Sequence, residues 1–313
     1  MEIGMIGLGR MGGNMATRLM QRGHRVIAYD RSDESVKAQA AAGATGARSL
    51  RDLVGAFKER PRVTWVMVPA GDPTTQTIRE LANLGEPGDV IIDGGNTNWE
   101  LALQDAAYVA GHGQQYLDAG TSGGVWGLEN GYCLMVGGDK AAYEHCLPLF
   151  QALAPEGGGL VHTGVAGSGH FVKMVHNGIE YALMQSYAEG FEIMKQAESF
   201  PGLDLAAIAD AWRTGSVVRS WLLDLIAAGL ADDPGLDKIT GYVEDTGEGR
   251  WTLRNAIQWA VPTPVIALSL FERFRSRQEN TFGDRMLAMM RHQFGGHAVK
   301  TSDQPSAVSR QPA

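Results

Sequence analysis

The stretch EIGMIGLGRMGGNMATRLM, residues 2–20, decides the fold of the first half of the chain. It begins with an apolar, strand-like run, passes through glycines in the pattern GxGxxG, and continues as a helical pattern. Gly7, Gly9 and Gly12 suit a tight turn in which the backbone approaches a pyrophosphate at a helix N-terminus. Asp30 ends the next predicted strand, where a carboxylate can accept hydrogen bonds from a ribose hydroxyl. The stretch therefore predicts a dinucleotide-binding turn.

The rest of the first half alternates short β-branched runs with helical patterns, as in a parallel sheet that helices cover on both faces. The predicted strands are Glu2–Ile6, Arg25–Tyr29, Arg62–Val68, Val90–Asp93, Gln115–Asp118, Cys133–Val136 and Leu160–His162. The helical patterns between them include Met11–Arg22, Asp33–Ala42, Thr97–Gly111 and Lys140–Leu153. This alternation predicts an α/β Rossmann-type doubly wound domain over residues 1–166.

The pattern changes at the glycine-rich segment GVAGSG, residues 164–169, after which no strand pattern follows. The predicted helices are Ser168–Gln196, Leu205–Arg213, Ser216–Gly229, Trp251–Trp259, Thr263–Gln278 and Thr281–Phe294. We therefore predict that the α/β domain is followed by an all-α domain over residues 167–297, for substrate binding and dimerisation. Residues 298–313 contain few apolar groups, which predicts a disordered tail.

The charge of the chain disfavours several classes of function. Lys and Arg number 27 against 35 Asp and Glu, giving a net charge of −8. Without a basic run, an acidic chain is poorly suited to nucleic acid or to an anionic membrane surface. No apolar run is long enough to span a bilayer, and the first strand leaves no room for a signal peptide. We expect a soluble, cytoplasmic protein.

The chain has two cysteines, Cys133 and Cys146. They form no disulfide framework, and the sequence contains no CxxC or HExxH pattern for zinc. We predict two buried, reduced thiols and no metal site.

Polar side chains of four kinds share one face of the predicted helix after the glycine-rich segment. Lys173, His176, Asn177 and Glu180 follow the spacing i, i+3, i+4, i+7, and the rest of the helix is mostly apolar. The solvated face of an ordinary amphipathic helix is the alternative, although such faces tend to repeat Glu and Lys. The mixed set beside a glycine-rich entry favours a catalytic helix.

Two loops follow predicted strands, where ligands bind in α/β folds. One contains Asn96 in the motif DGGN, and the other is Ser122-Gly123-Gly124, whose backbone amides could hold a carboxylate. Taken alone, each loop is slightly more typical of a structural turn than of a site.

Together, the coenzyme loop, DGGN, the SGG loop and the string KMVHNGIEY at residues 173–181 resemble the decarboxylating 6-phosphogluconate dehydrogenase family. The resemblance extends from residue 1 to about residue 297. The wider β-hydroxyacid dehydrogenase superfamily shares the loops and the lysine but typically has Asn-Asn after that lysine, so HNGIEY is the discriminating string. Because the chain stops soon after one helical domain, it resembles the short, NAD-preferring form.

The resemblance implies roles for the matching residues. Lys173 would be the general base that accepts the proton of the substrate 3-hydroxyl, and Glu180 would later protonate C1 of the enediol. Substrate contacts are expected at Asn96, Ser122, Gly123, Gly124, His176, Asn177, Tyr181, Arg273, Arg291 and His297.

The second half carries three further matches: GRWT at 249–252, FER ending at Arg273, and RHQFGGH from Arg291 to His297. In the family the last of these reaches a neighbouring subunit's site, which implies a homodimer or homotetramer with shared active sites. The sequence departs from the family at Thr246, where longer members carry Lys, and at Glu248, where they carry Thr. We interpret both as changes to the phosphate pocket, which loses a cation and gains an acid.

The predicted coenzyme is NAD, with NADP as a possible weaker alternative. The carboxylate of Asp30 would repel a 2′-phosphate, whereas the neighbouring Arg31 could partly offset that repulsion. The predicted coenzyme contacts are Gly7, Leu8, Gly9, Met11, Gly12, Asp30, Arg31, Val68, Pro69, Ala70 and Asn96.

The function implied is oxidative decarboxylation of 6-phosphogluconate to ribulose 5-phosphate with reduction of NAD, a step of the pentose phosphate pathway and of gluconate utilization. One alternative is a β-hydroxyacid dehydrogenase that acts on a small unphosphorylated acid without decarboxylation. A catalytically silent NAD-binding sensor is another. Glu180 and the set of Arg273, Arg291 and His297 argue against the first alternative. The pairing of Lys173 with Glu180 argues against the second.

Overall fold

A computed structural model describes residues 1–300, so most of the predicted tail 298–313 lies outside the described residues. The chain divides into two compact units. The first comprises Met1–Leu183 and Thr246–Ile266; the second comprises Met184–Asp245 and the residues from Ala267 onward. The predicted boundary between residues 166 and 167 coincides with the end of the sheet, whereas the compact units divide later, within a long helix.

The first unit contains an eight-stranded sheet in the order β3-β2-β1-β4-β5-β6-β7-β8. Its strands are β1 Glu2–Ile6, β2 Arg25–Tyr29, β3 Thr45–Gly46, β4 Val63–Val66, β5 Val90–Asp93, β6 Gln115–Ser122, β7 Cys133–Gly138 and β8 Leu160–Gly164. All neighbours pair in parallel except β6 and β7. The strand order reverses between β1 and β4, the position at which doubly wound sheets bind ligands at the carboxyl ends of their strands. The predicted α/β Rossmann-type class is confirmed.

Helices cover both faces of this sheet. They are α1 Arg10–Gln21, α2 Asp33–Ala41, α3 Leu50–Gly55, α4 Asp72–Leu84, α5 Trp99–Ala110, α6 Gly127–Asn130 and α7 Lys140–Leu153. One buried apolar cluster includes Met15, Leu19 and Phe150, and the other includes Leu53 and Ile78. Burial of apolar surface on both faces explains why the strands read as near-continuous apolar runs.

The antiparallel pairing of β6 with β7 differs from the parallel sheet that the sequence predicted. Residues 123–132 connect the two strands, and a parallel crossover needs about a dozen residues or more, so the chain turns back instead. The pairing lengthens both strands, to Ser122 and Gly138. The short elements β3 and α3 were not predicted, because neither is long enough to show a period.

The remaining helices are α8 Ser168–Lys195, α9 Leu205–Trp212, α10 Trp221–Asp232, α11 Glu248–Gln258, α12 Pro264–Arg275 and α13 Phe282–Gly295. The predicted helix from Ser216 starts later, because Ser220 accepts a hydrogen bond from Leu223 N and caps α10. In the second unit, α9 and α10 bury Leu205, Ala209 and Leu223 against each other. Across residues 1–300, no helix combines the length and the apolar character that crossing a membrane requires.

Candidate active site

The turn between β1 and α1 has the geometry that a pyrophosphate needs. Gly7 has a φ of +88°, and a Cβ on it would lie 2.4 Å from Met67 O. A Cβ on Gly12 would lie 2.0 Å from Gly7 O, so both positions require glycine. A Cβ on Gly9, by contrast, would meet no described atom within 4 Å, and no described side chain caps α1. Open space therefore faces the N-terminus of a helix, where an anion is stabilised.

Asp30 lies against this turn. Its carboxylate accepts hydrogen bonds from Leu8 N at 2.6 Å and from Ser32 N at 2.8 Å, while Arg31 beside it is exposed. The predicted contacts Val68, Pro69 and Ala70 follow β4, the neighbour of β1, and Met11 lies in the first turn of α1. The residues present thus fit an NAD molecule whose pyrophosphate approaches α1 and whose ribose approaches Asp30.

The start of α8 is fixed by a buried carboxylate of the sheet. Asp118 on β6 accepts hydrogen bonds from Gly167 N at 2.6 Å and from His170 N at 2.7 Å. The first N–H groups of a helix have no acceptor within the helix. Asp118 supplies a hydrogen-bond acceptor for two of these groups at the start of α8.

A second buried pair reinforces this attachment. His170 Nε2 lies 3.2 Å from Asp93 Oδ2, and Tyr116 Oη donates to the same oxygen at 3.0 Å. Burial alone would lower the pKa of the His170 ring, but the carboxylates of Asp93 and Asp118 raise it above its usual value. The start of α8 is therefore attached to two strands, to β6 through Asp118 and to β5 through Asp93.

Lys173 lies in the first turns of α8, with 9% of its surface exposed. Its Nζ donates to Asn177 Oδ1 at 2.6 Å, the i, i+4 contact that the sequence spacing predicts. Burial lowers the pKa of this lysine, although the carboxylates of Glu180 and Glu248 partly oppose that effect. The outer side of the helix is apolar instead, since Ile179 is 51% exposed. The polar face thus turns inward at Lys173, where the alternative of a solvated stripe is wrong, and it is partly exposed at His176 and Glu180.

Glu248, at the start of α11, joins the polar residues of two other elements. Its Oε1 accepts hydrogen bonds from the side-chain amides of Asn96 and Asn177, and its Oε2 accepts one from the Thr246 hydroxyl. Only 1% of its surface is exposed. The sequence analysis placed Glu248 in a phosphate pocket, whereas the structure places its carboxylate on two predicted substrate-binding asparagines. The sequence gives no signal for this contact, because Glu248 lies far along the chain from both.

Two further predicted substrate-binding residues, His176 and Tyr181, also lie on α8. His176 Nδ1 lies 2.9 Å from Asn177 Oδ1 and 3.8 Å from Glu180 Oε2. Tyr181 is buried, and its hydroxyl accepts a hydrogen bond from Thr246 N at 3.3 Å. The face of α8 predicted from spacing alone is therefore one connected polar cluster.

The SGG loop begins where β6 ends. Ser122 is the last residue of that strand, and Gly123 and Gly124 both have positive φ. Two residues earlier, β6 touches α8: a Cβ on Gly120 would lie 2.5 Å from Lys173 Cβ. The loop is thus attached to the strand on which Lys173 packs.

The three predicted cations of the C-terminal region belong to the second unit. Arg273 donates to Glu244 O at 2.7 Å and contacts Met184 Sδ at 3.6 Å, both within that unit. Arg291 lies on α13 and is exposed, as is His297 just after it. Arg273 is therefore half-buried and bonded within its own unit, whereas Arg291 and His297 are exposed.

The two cysteines differ. Cys146 is buried, which raises the pKa of its thiol to about 12. Cys133, at the start of β7, is exposed, so the prediction of two buried thiols is wrong for this residue. It is the first residue of β7, at the end of the strand, and the five residues that follow it are all buried.

A doubly wound sheet with an anion-binding turn, and a buried lysine on a helix packed against that sheet, define a dinucleotide-dependent oxidoreductase. The model of the NAD-binding domain of 6-phosphogluconate dehydrogenase matches residues 2–198, and that of the 6-phosphogluconate dehydrogenase C-terminal domain matches residues 169–310. The chain belongs to the 6-phosphogluconate dehydrogenase family.

Full-length relatives agree with this assignment. The chain is 44% identical to an NAD(+)-dependent, decarboxylating 6-phosphogluconate dehydrogenase of Haloferax volcanii, over 97% of this chain and 100% of the relative. It is 42% identical to a putative 6-phosphogluconate dehydrogenase of Bacillus subtilis, over 96% and 99% respectively. Among solved structures, Plasmodium falciparum 6-phosphogluconate dehydrogenase superposes with a TM-score of 0.81 at 27% identity, covering 98% of this chain and 67% of that one.

Proposed function

We propose that this chain catalyses the oxidative decarboxylation of 6-phospho-D-gluconate to D-ribulose 5-phosphate and CO2, with reduction of NAD. The observation that carries the proposal is the buried Lys173, whose Nζ lies 2.6 Å from Asn177 Oδ1 in a unit that fits NAD. A lysine can act as a base only when it is neutral, and burial lowers its pKa in that direction.

The first step is proton transfer to Lys173. Its neutral amine accepts the proton of the substrate 3-hydroxyl. The Gly7–Gly12 turn would hold NAD, which would supply the hydride acceptor for carbon 3. Asn177 Oδ1 orients the amine by accepting one of its hydrogens. The ammonium that results is stabilised by the neighbouring carboxylate of Glu248.

The second step breaks the bond to the carboxylate. The ammonium of Lys173 donates a hydrogen bond to the new 3-keto oxygen, so the electrons of the breaking C–C bond flow into that carbonyl as CO2 leaves. Glu180 then protonates C1 of the enediol to give ribulose 5-phosphate. Its carboxylate lies on the same helix face as Lys173 and is partly exposed, as a group that must regain its proton from solvent requires.

Asp30 makes NAD the preferred coenzyme and NADP the weaker one. Its carboxylate is held in place by Leu8 N and Ser32 N, and it would meet the 2′-phosphate of NADP as a like charge. The exposed Arg31 offsets only part of this repulsion.

The enzyme is a homodimer or homotetramer in which Arg291 and His297 of one subunit complete a site of its neighbour and bind the substrate phosphate, with Arg273. Exposed apolar side chains on α13 support this assembly, since that helix has no buried residue in the described chain and Phe294 is 96% exposed. The enzyme acts in the cytoplasm, in the pentose phosphate pathway and in gluconate utilization.

Purified protein incubated with 6-phosphogluconate and NAD should reduce NAD and release one CO2 per NAD reduced. The kcat/KM with NADP should be lower than with NAD, and Asp30→Asn should narrow this difference in kcat/KM. NAD reduction without CO2 release, or reduction with a small unphosphorylated 3-hydroxy acid in place of 6-phosphogluconate, would contradict the proposal.

A further inference from the structure

We infer that Glu248 is a positioning residue: its buried carboxylate fixes the amides of Asn96 and Asn177 and places a negative charge beside Lys173. This inference rests on the proposed function and extends it to a residue that the family resemblance had assigned to a phosphate pocket. It has two parts, hydrogen bonding and charge, and each has its own consequence.

The hydrogen bonds determine which way both amides point. Because the amide nitrogens of Asn96 and Asn177 both donate to Glu248 Oε1, the oxygen of Asn177 is left to face Lys173 Nζ. Without an acceptor at Glu248, the amide nitrogen of Asn177 would lose its partner, and the contact with Lys173 alone would have to hold this orientation. The flipped amide would present its NH2 group to the amine of Lys173, two donors facing each other.

The carboxylate is held on a rigid element. Glu248 begins α11, and its Oε2 accepts a further hydrogen bond from Thr246. One turn later, Thr252 Oγ1 donates to Met174 O at 3.0 Å, which ties α11 directly to the backbone of α8. The distance between Glu248 and the Lys173 helix is thus set by backbone packing rather than by flexible side chains.

The charge of Glu248 acts on the protonation of Lys173. Three groups face this lysine: Glu180 from its own helix, Glu248 from α11 and Cys133 from β7. Burial lowers the pKa of Lys173, and the two carboxylates raise it. Loss of the Glu248 charge should therefore lower the pKa further, whereas loosening of the packing would admit water and raise it. Loss of the charge and loosening of the packing therefore predict changes of the Lys173 pKa in opposite directions.

The test uses Glu248→Gln, which keeps the shape and removes the charge, with Glu189→Gln on the exposed part of α8 as the matched control. In Glu248→Gln, kcat/KM at neutral pH should fall about ten- to a hundred-fold, as for the loss of a charge-assisted contact. The acidic limb of its pH profile, which reports the neutral form of Lys173, should move to lower pH. The control should match the wild type. An unmoved limb, or one moved to higher pH, overturns the charge part of the inference.

A direct titration separates this inference from the proposed function. The pKa of Lys173 can be measured by NMR of protein labelled with 13C-lysine, without substrate, and Lys173→Met assigns the signal. A wild type inactive on 6-phosphogluconate would refute the proposed function, while the titration of Glu248→Gln would still confirm or overturn the inference.

Glu248→Asp tests the hydrogen-bonding part, and it also serves if Glu248→Gln does not fold. The shorter side chain keeps the charge but withdraws it from the two amides. We expect the pKa of Lys173 to stay near the wild-type value while kcat falls about tenfold. Wild-type kcat in Glu248→Asp would show that positioning of the asparagines is not needed.

Discussion

At the scale of single residues, the central feature is a lysine that is buried although its helix has exposed apolar side chains. Lys173 is surrounded by protein, whereas Ile179 and Leu183 on the same helix face outward. A buried amine is costly unless it is hydrogen-bonded or neutral, and Lys173 has both a partner and a lowered pKa. Such a perturbed group, in the same compact unit as a coenzyme turn, is typical of an acid–base catalyst.

Replacement of this lysine should remove the chemistry and spare coenzyme binding. Lys173→Met should lower kcat by about 10²–10⁴, the range for loss of a positioned base, with the Kd for NAD nearly unchanged. Lys195→Met, at the exposed end of the same helix, is the control and should keep wild-type kcat. The check is steady-state kinetics with a fluorescence titration of coenzyme. Retention of more than a tenth of wild-type kcat would exclude the role of base.

The sequence predicted the contact of Lys173 with Asn177 because helical spacing determines which side chains meet. It could not predict the contact of Asn177 with Glu248, since that contact depends on how α11 packs on α8. The same limit applies to Asp118 and His170, which read as ordinary polar residues of a strand and a helix start. Local spacing was visible in the sequence; contacts between distant elements were not.

At the scale of elements, the position of α8 depends on its close approach to β6. Gly120 allows this approach, because any Cβ there would lie 2.5 Å from Lys173 Cβ and 2.8 Å from Gly169 O. The periodic elements of the Rossmann sheet were predicted almost to the residue, as long apolar runs and glycine turns are local signals. The direction of β7 was not, because it depends on the length of a connection rather than on a pattern.

Gly120→Ala should push α8 away from the sheet. We expect a loss of about 1–3 kcal/mol in the free energy of unfolding, as for other overpacked sites, together with a lower kcat from a displaced Lys173. The control is Gly190→Ala on α8, where a Cβ would meet no described atom within 4 Å. It should stabilise the helix by up to about 1 kcal/mol and leave kcat unchanged. Denaturant unfolding and kcat should be measured for both variants. Equal stability of Gly120→Ala and Gly190→Ala would argue against tight packing at Gly120.

At the scale of the whole molecule, apolar surface is distributed unevenly. The sheet-bearing unit has two buried apolar clusters, whereas α13 presents Phe282, Leu287 and Phe294 to solvent. A large exposed apolar surface on one helix is typical of a surface that another chain covers. The sequence motif around Arg291 agrees with this.

Mixtures of two inactive variants test the shared site. Arg291→Ala should raise KM about ten- to a hundred-fold, because a charge-assisted bond to phosphate is lost. Refolded mixtures of Lys173→Met with Arg291→Ala should regain activity, since one site of each heterodimer receives both intact groups. Mixtures of Lys173→Met with Glu180→Gln are the control and should stay inactive, because both residues lie on one helix of one subunit. If the first mixture also stays inactive despite proven subunit exchange, the site is contained within one chain.

The carboxylate of Asp118 has a consequence for local unfolding. The first turn of a helix usually frays, because its N–H groups are bonded only to water. In α8 two of these groups are bonded to a buried carboxylate from the middle of the sheet. This end of the helix cannot fray unless Asp118 loses both of those partners inside the protein. Opening of the turn that precedes Lys173 is therefore coupled to disruption of the sheet itself, and Lys173 stays in place through fluctuations that would loosen an ordinary helix start.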